Sequence, residues 1–145
     1  MTPSELEALR RALFFSIKEA ASLISRTSEQ AWYRWENGLR SIPADIARAM
    51  ENLAVWRQNA IRAAIDRFSV HEADISIIWY PTLEDWISLP GRQALMYRPE
   101  QSVVAGLRLH FPHRLKLIRF DRNDYDEWRS GREDSEALRI QWAEQ

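Results

Sequence analysis

Residues 16–43 read SIKEAASLISRTSEQAWYRWENGLRSIP and contain two short helical patterns joined by a polar turn. Ser16 is followed three residues later by Glu19, which is the spacing of a capping box at a helix N-terminus. Ser28, or Thr27 beside it, can cap a second helix in the same way. The stretch therefore predicts two consecutive helices with a defined start for each.

The second helix has one apolar face and one polar face. Ala31, Trp32 and Trp35 are three to four residues apart, so they share a face and are expected to pack in a core. Gly38 stands where a helix ends in a left-handed residue. The side chains left pointing outward are Glu29, Gln30, Tyr33, Arg34 and Asn37. These residue types read base edges or phosphates, so the pattern predicts a DNA-binding helix-turn-helix.

The outward face supplies four candidates for contact with DNA bases. Gln30 lies near the helix start, which enters the major groove in this motif, and its amide can pair bidentately with adenine. One turn later, Arg34 can reach guanine or a phosphate. Tyr33 can bond a phosphate or pack on a thymine methyl group. Glu29 can accept from cytosine, or act only as a favourable anion at the helix N-terminus.

Phosphate contacts are expected from groups around the two helices, because such contacts position a motif without reading sequence. Helix N-termini attract anions, and basic side chains in the first turn, the inter-helix turn and the segment after the helix add positive charge. The candidates are Ser16, Lys18, Arg26, Ser28 and Arg40.

The N-terminal segment predicts a further helix. Thr2 and Glu5 have capping-box spacing, and Pro3 occupies the first helical position. The expected buried stripe is Leu6, Leu9 and Leu13, continued by Phe14. Arg10 falls on the same stripe, where an unpaired charge is costly.

The segment 16–43 resembles the phage-repressor type of helix-turn-helix, whose second helix closes with Trp-Glu-x-Gly and then a proline. More closely, the chain resembles the YdiL-like proteins, which include the anti-CRISPR-associated (Aca) regulators, over roughly residues 2–110. The shared residues are Glu5, Leu6, Arg10, Glu19, Ala20, Ala21, Trp32, Trp35, Glu36 and Gly38, with the run QSVVA at 101–105. The turn at 25–27 departs from the common repressor pattern, because it is one residue longer and lacks the glycine.

The resemblance implies a lambda-repressor-like helical domain and a repressor, with its own operon as one candidate target. It also implies that Arg10 reaches Glu36 in a partly buried structural pair. A DNA role for Glu36 is not expected, since phosphates repel a carboxylate.

Composition restricts the class of protein. The chain has 145 residues, 46% of them hydrophobic, and no cysteine, which excludes disulfides, zinc–cysteine sites and thiol nucleophiles. No apolar run approaches a membrane span, and the first residues do not form a signal peptide, so a cytoplasmic protein is expected. The net charge of −1 conceals a body that is basic by three before residue 121 and an acidic tail after it. A basic body fits a nucleic-acid partner, although only weakly.

Beyond Pro43 the pattern predicts a long connector helix over 44–68 and then a mixed segment. Strands are predicted at 75–80, 94–97 and 115–120, and short helices at 82–87 and 99–109. The predicted fold class is α+β. Its expected division is a DNA-binding domain at 1–68, a dimerisation module at 69–120 and an acidic, partly helical extension at 121–145.

Other chemistry is not expected. His110 and His113 are separated by a proline and have no third ligand nearby, so no metal site is predicted. The chain has neither a nucleophile elbow nor a glycine-rich phosphate loop, so neither an enzyme nor a cofactor is expected.

These patterns together predict a homodimeric, sequence-specific transcriptional regulator that binds an inverted repeat in double-stranded DNA. Two alternatives remain open: an antitoxin-like module that binds a partner protein, and a protein that binds structured RNA through the same basic face.

Overall fold

The computed structural model describes residues 1–145 and contains eight helices and one small sheet, in agreement with the predicted α+β class. The helices are α1 Pro3–Ala12, α2 Ile17–Ala20, α3 Glu29–Glu36, α4 Ala44–Ser69, α5 Leu83–Ile87, α6 Tyr97–His110, α7 Arg122–Arg129 and α8 Glu136–Ala143. The strands are β1 Ile75–Trp79 and β2 Leu115–Arg119. A π-helical turn, Ala21–Ser25, continues α2, and a 3-10 turn, Ala94–Met96, precedes α6. None of the helices combines the length and the apolar character needed to cross a bilayer.

The first helices begin where the sequence predicts, because their caps are local. The Thr2 hydroxyl accepts from the Glu5 N–H at 3.1 Å, and the Glu5 carboxylate accepts from the Thr2 N–H at 2.8 Å. Ser28 caps α3 by accepting from the Ala31 N–H at 3.1 Å. These hydrogen bonds satisfy amides that a helix leaves without an internal partner.

Helices α1 to α4 enclose the first hydrophobic core. Its buried members are Leu6, Leu13, Phe15, Ala20, Ala21, Trp32, Trp35, Ile46 and Met50. The expectation that Phe14 continues the buried stripe is wrong. The chain leaves α1 with Phe14 at φ +68°, so Phe14 is 41% exposed and Phe15 turns inward instead.

Helix α4 joins this core to the rest of the molecule. It is one continuous helix of 26 residues, about 39 Å long at the usual rise per residue. Met50 in its first half is buried in the first core, and Ala64 in its second half is buried in another. The predicted connector helix is therefore present, and it contributes to both cores.

The sheet consists of β1 and β2 in parallel, with Ile75 opposite Leu115 and Trp79 opposite Arg119. A parallel pair needs a long crossover, which here contains α5 and α6. One face of the sheet packs in a core with α4 and α6, in which Ala64, Val103, Leu107 and Phe111 are buried. The other face contributes to an aromatic core with α7 and α8. The sheet thus lies between two helical layers.

The prediction of a strand at 94–97 is wrong. Residues Ala94–Met96 form a 3-10 turn that leads directly into α6, which begins at Tyr97 rather than at Pro99. Pro99 fits because it lies in the first turn, where its missing N–H costs no helical hydrogen bond. Leu95 packs against the first core, and the Tyr97 hydroxyl donates to the Tyr80 carbonyl at 3.0 Å. These tertiary contacts override the apolar run that favoured a strand.

The acidic tail forms two helices, α7 and α8, which pack through Tyr125 and Trp142 onto Tyr80 and Phe120. Arg139 is fully buried in this layer, where its guanidinium donates to Asp134 at 2.6 Å. The predicted division of this part of the chain into a module at 69–120 and an extension at 121–145 stays a prediction.

Candidate nucleic-acid interface

Helix α3 presents a polar face to solvent and an aromatic face to the core. Glu29, Gln30 and Tyr33 are exposed, and Tyr33 is 52% accessible. On the opposite face Trp32 and Trp35 are buried as predicted, with ring centroids 5.5 Å apart. The burial of one face fixes the rotation of α3, so the polar face is available for a partner.

A buried ion pair attaches α3 to α1. Arg10 donates to both oxygens of Glu36, from Nε at 2.7 Å and from Nη2 at 3.0 Å. The third direction of the guanidinium is also used, since Nη1 donates to the Phe15 carbonyl at 3.0 Å. The Trp32 indole N–H donates to the same carboxylate. Glu36 is therefore fully engaged within the protein, and its side chain faces away from the exposed surface of α3.

The turn before α3 accommodates its extra residue by a local change of helix type. Ala21–Ser25 is π-helical, a form whose hydrogen bonds span one residue more than those of an α-helix. Arg26 follows in the left-handed conformation, with φ +53°, which glycine adopts more readily than other residues. The Thr27 N–H then donates to the Ala21 carbonyl at 3.0 Å and closes the turn. This geometry exposes the Arg26 side chain beside the start of α3.

The N-terminus of α2 combines a capping box with two charges. Ser16 and Glu19 cap each other at 3.0 Å, and the exposed Lys18 lies in the same turn. The second carboxylate oxygen of Glu19 accepts from Arg98 of α6 at 2.7 Å. Burial raises the pKa of Glu19, but the Ser16 N–H and the Arg98 guanidinium outweigh it and hold this pKa below its usual value. Arg98 thus offsets a negative charge beside a helix end that otherwise attracts phosphate.

The C-terminal end of α3 holds the remaining two candidates. Gly38 adopts φ +71°, and the chain then wraps back so that the Leu39 and Arg40 amides donate to the Arg34 carbonyl at 2.9 and 3.3 Å. Arg34 is half-buried and Arg40 is exposed. The two side chains therefore belong to one end of α3, and Gln30 belongs to the other.

The basic candidates of this surface are free of carboxylate partners. Neither Lys18 nor Arg26, Arg34 or Arg40 takes part in any of the seven salt bridges. By contrast, Arg10 and Arg98 are both neutralised internally. Unpaired cations around an exposed helix suit a polyanion, since no internal ion pair has to break on binding.

Sequence reasoning did not find Arg98 or Leu95, which join the interface region to the second half of the chain. Arg98 is 79 residues from Glu19, and its Nη1 donates to Gln101 Oε1 at 2.8 Å. Leu95 packs against the first core. No local pattern identifies these residues, because only the fold brings them close to α2.

Comparison with known proteins gives two relatives and one family. Over 106 residues the chain is 32% identical to the Aca2 repressor of Pectobacterium phage ZF40, which covers 72% of this chain and 90% of that protein. Over 117 residues it is 27% identical to the uncharacterized protein YdiL of Escherichia coli (strain K12), covering 79% of this chain and 99% of that protein. Residues 1–116 match the Aca2/YdiL-like family, so the match covers most of the chain and ends within β2. The chain therefore belongs to the Aca2/YdiL-like family.

Proposed function

We propose that this protein is a sequence-specific DNA-binding transcriptional regulator, a homodimeric repressor that inserts α3 into the major groove of an inverted-repeat operator. The observation that carries the proposal is the exposed polar face of α3, on a helix whose rotation is fixed by two buried tryptophans and the Arg10–Glu36 pair. A rigid helix with a free polar face is what direct base readout needs. The relative named as a repressor supports this function.

The proposed roles follow the position of each side chain. Gln30 at the start of α3 reads a base, with adenine as its best partner, and Glu29 lies beside it. Tyr33 and Arg34, one turn further, contact a base or a phosphate. The proposed phosphate contacts are Ser16, Lys18, Arg26, Ser28 and Arg40. The hydroxyl hydrogens of Ser16 and Ser28 remain available, because each oxygen only accepts in its cap.

Selection of bound duplexes from a random pool provides the site that the test requires. A repressor of this kind yields one sequence with two-fold symmetry. A partner-protein module yields no enriched duplex, and an RNA binder is recognised when hairpin RNA competes better than the selected duplex.

Two substitutions then separate base readout from backbone contact. Gln30→Ala is expected to cost about 1–3 kcal/mol on the selected duplex and little on a scrambled one, because the amide contributes only to base recognition. Arg40→Ala is expected to weaken both duplexes alike and to lower the slope of log affinity against log salt by about one per subunit. Titrations at two salt concentrations measure both effects. Equal losses for Gln30→Ala on the two duplexes would show that α3 does not read bases.

A further inference from the structure

A groove of about 500 Å³ lies between the C-terminal half of α6 and strand β2. Its lining residues are Trp79, Ala105, Arg108, Leu109, Leu117 and Arg119. Leu109 is 82% exposed and Leu117 is 37% exposed, although both are large aliphatic side chains. Two leucines left open in one groove gain free energy when an apolar group of a partner covers them.

The two charged residues that line the groove are both arginines. Neither Arg108 nor Arg119 takes part in any of the seven salt bridges. Lys116, on the same strand, is exposed and equally unpaired, and no carboxylate lines the groove. An acidic partner can therefore pair with both guanidinium groups without breaking an ion pair within the chain.

Strand β2 also offers free backbone groups beside the groove. The Phe120 N–H donates to a carbonyl of β1 at 2.9 Å, so the even-numbered residues of β2 face β1. The N–H and C=O groups of Leu117 and Arg119 consequently point to the open side. The Leu115 N–H is not available, because it donates to the Phe111 carbonyl at 3.2 Å. An extended peptide thus finds two donors and two acceptors at this edge.

The positive charges of β2 distinguish between the possible occupants. A second copy of this chain on the same edge would place two positively charged strands side by side, and such an arrangement discourages pairing. A phosphate backbone would pair with the arginines but would leave Leu109 and Leu117 without an apolar partner. An acidic peptide that also carries an apolar side chain satisfies both features of the groove.

We propose that this groove binds an extended acidic segment of a partner protein, which adds a strand to the free edge of β2. An aliphatic or aromatic side chain of the segment packs on Leu109 and Leu117, and its carboxylates pair with Arg108 and Arg119. Main-chain hydrogen bonds then supply affinity, while the apolar and charged contacts supply selectivity. The site goes beyond the proposed function, because its occupation requires no DNA.

Selection from a pool of random peptides against the full chain provides the probe. The enriched peptides should share an apolar residue flanked by aspartate or glutamate. One of them, synthesised with a fluorescent label, then gives a dissociation constant by anisotropy without DNA. Its affinity should fall with added salt, since exposed ion pairs are screened. An enriched set that lacks carboxylates would overturn the proposal.

Substitutions in the groove test the apolar and the charged contact separately. Leu109→Ser should raise the dissociation constant of the peptide at least about tenfold, because the apolar contact is lost. Arg119→Glu should raise it about fivefold, and a peptide with one carboxylate changed to lysine should recover most of that loss. Val55→Ser and Arg62→Glu are the matched controls, exposed on α4 outside the groove, and should leave binding unchanged. All four positions are exposed, so folding should be preserved, as circular dichroism verifies.

Methylation of the peptide backbone tests the pairing with β2. Alternate amides of a strand point in the same direction, so N-methyl groups on one alternate set block the hydrogen bonds to Leu117 and Arg119. N-methyl groups on the other set point away from β2. One of the two methylated peptides should therefore lose binding and the other should retain it. Equal behaviour of the two would show that the peptide does not add a strand.

Three further outcomes would overturn the proposal. Normal peptide binding by folded Leu109→Ser and Arg119→Glu variants would place the peptide elsewhere. Self-association that weakens in these variants, measured by sedimentation without peptide, would assign the groove to a second copy. A failure to enrich any peptide, together with a larger loss of duplex affinity in Arg119→Glu than in Arg62→Glu, would assign the groove to nucleic acid.

Discussion

At the scale of single residues, Arg10 is a charged group buried at the edge of the first core. Its side chain is only 9% exposed, and its three hydrogen-bonding directions are used by Glu36 and the Phe15 carbonyl. A charge in this position is tolerated because it is both paired and hydrogen-bonded. The side chain of Glu36 is only 5% exposed, and its carboxylate is likewise paired with Arg10 and hydrogen-bonded by the Trp32 indole.

Removal of either member of this pair should destabilise the protein strongly. Arg10→Met and Glu36→Gln are each expected to lower the free energy of unfolding by about 3 kcal/mol, because the remaining group is left buried without its partner. The double variant should lose much less unfolding free energy than the sum of the two single losses. Urea unfolding of the four proteins measures the coupling in a double-mutant cycle.

Arg11 and Glu7 offer the matched control on the same helix. They form an exposed salt bridge at 2.9 Å, with side chains 70% and 43% accessible. The corresponding changes there should cost no more than about 0.5 kcal/mol. Strict additivity of the Arg10 and Glu36 losses would contradict the structural role of the pair.

At the scale of elements, helices α7 and α8 form a layer that contains a fully buried Arg139 among aromatic side chains. The Arg139 guanidinium lies 4.7 Å from the centre of the Phe120 ring and 5.3 Å from that of Tyr125. Its hydrogen bonds lower the pKa of Asp134 to about 2. Burial raises the pKa of Tyr125 to about 12, and the Tyr125 hydroxyl donates to Asp134 at 2.6 Å. Both aromatic and ionic contacts thus fix the layer to the sheet.

The stability contributed by Asp134 should depend on pH. Because folding lowers this pKa from 3.8 to about 2, the contribution is present above about pH 4 and disappears as the pH falls through 2. Its size corresponds to about 2 kcal/mol. The difference in unfolding free energy between the native protein and Asp134→Asn should therefore narrow between pH 4 and pH 2, as followed by urea unfolding.

The exposed neighbour Glu133 supplies the control for this measurement. Glu133→Gln removes the same charge type from a side chain without an ion pair or hydrogen bond, so its effect should stay within about 0.5 kcal/mol. If Asp134→Asn lowers the unfolding free energy by the same amount at every pH, the ionised carboxylate of Asp134 is not what stabilises the layer.

At the scale of the whole molecule, the two halves of the chain are joined by three sets of contacts. Helix α4 runs through both cores, Leu95 packs against the first core, and Arg98 binds Glu19. In a dimer these contacts determine how far apart the two α3 helices lie and how they point. We therefore expect the junction to influence which half-site spacing is bound.

Arg98→Met should weaken this junction and leave the Glu19 carboxylate uncompensated near the proposed phosphate site. Duplex affinity is expected to fall by about fivefold or less, since the pair is partly exposed. The Arg98→Met variant should also discriminate less well than the unsubstituted protein between the normal duplex and duplexes with one base pair added or removed between the half-sites. Titration of the three duplexes measures this.

Arg122→Met serves as the control, since Arg122 forms an exposed salt bridge with Asp126 within α7, away from the junction. It should alter neither affinity nor the preference for spacing. If Arg98→Met behaves like this control, the junction does not orient the DNA-reading helices.

The sequence by itself determined the features that depend on neighbours three or four residues apart. The caps at Thr2, Ser16 and Ser28, the burial of Trp32 and Trp35, and the left-handed Gly38 all follow from such local spacing. The interactions involved close within one helical turn, so the rest of the fold hardly alters them.

The tertiary structure alone decided the features that depend on distant partners. The turn at Ala94–Met96 is helical because Leu95 and Tyr97 meet residues far away in the chain, and the inward position of Phe15 follows from the reversal at Phe14. The link from Arg98 to Glu19 and the open edge of β2 exist only once the layers have assembled. Local sequence patterns do not predict these contacts. An apolar or charged residue indicates that it needs a partner, but the fold decides which residue that partner is.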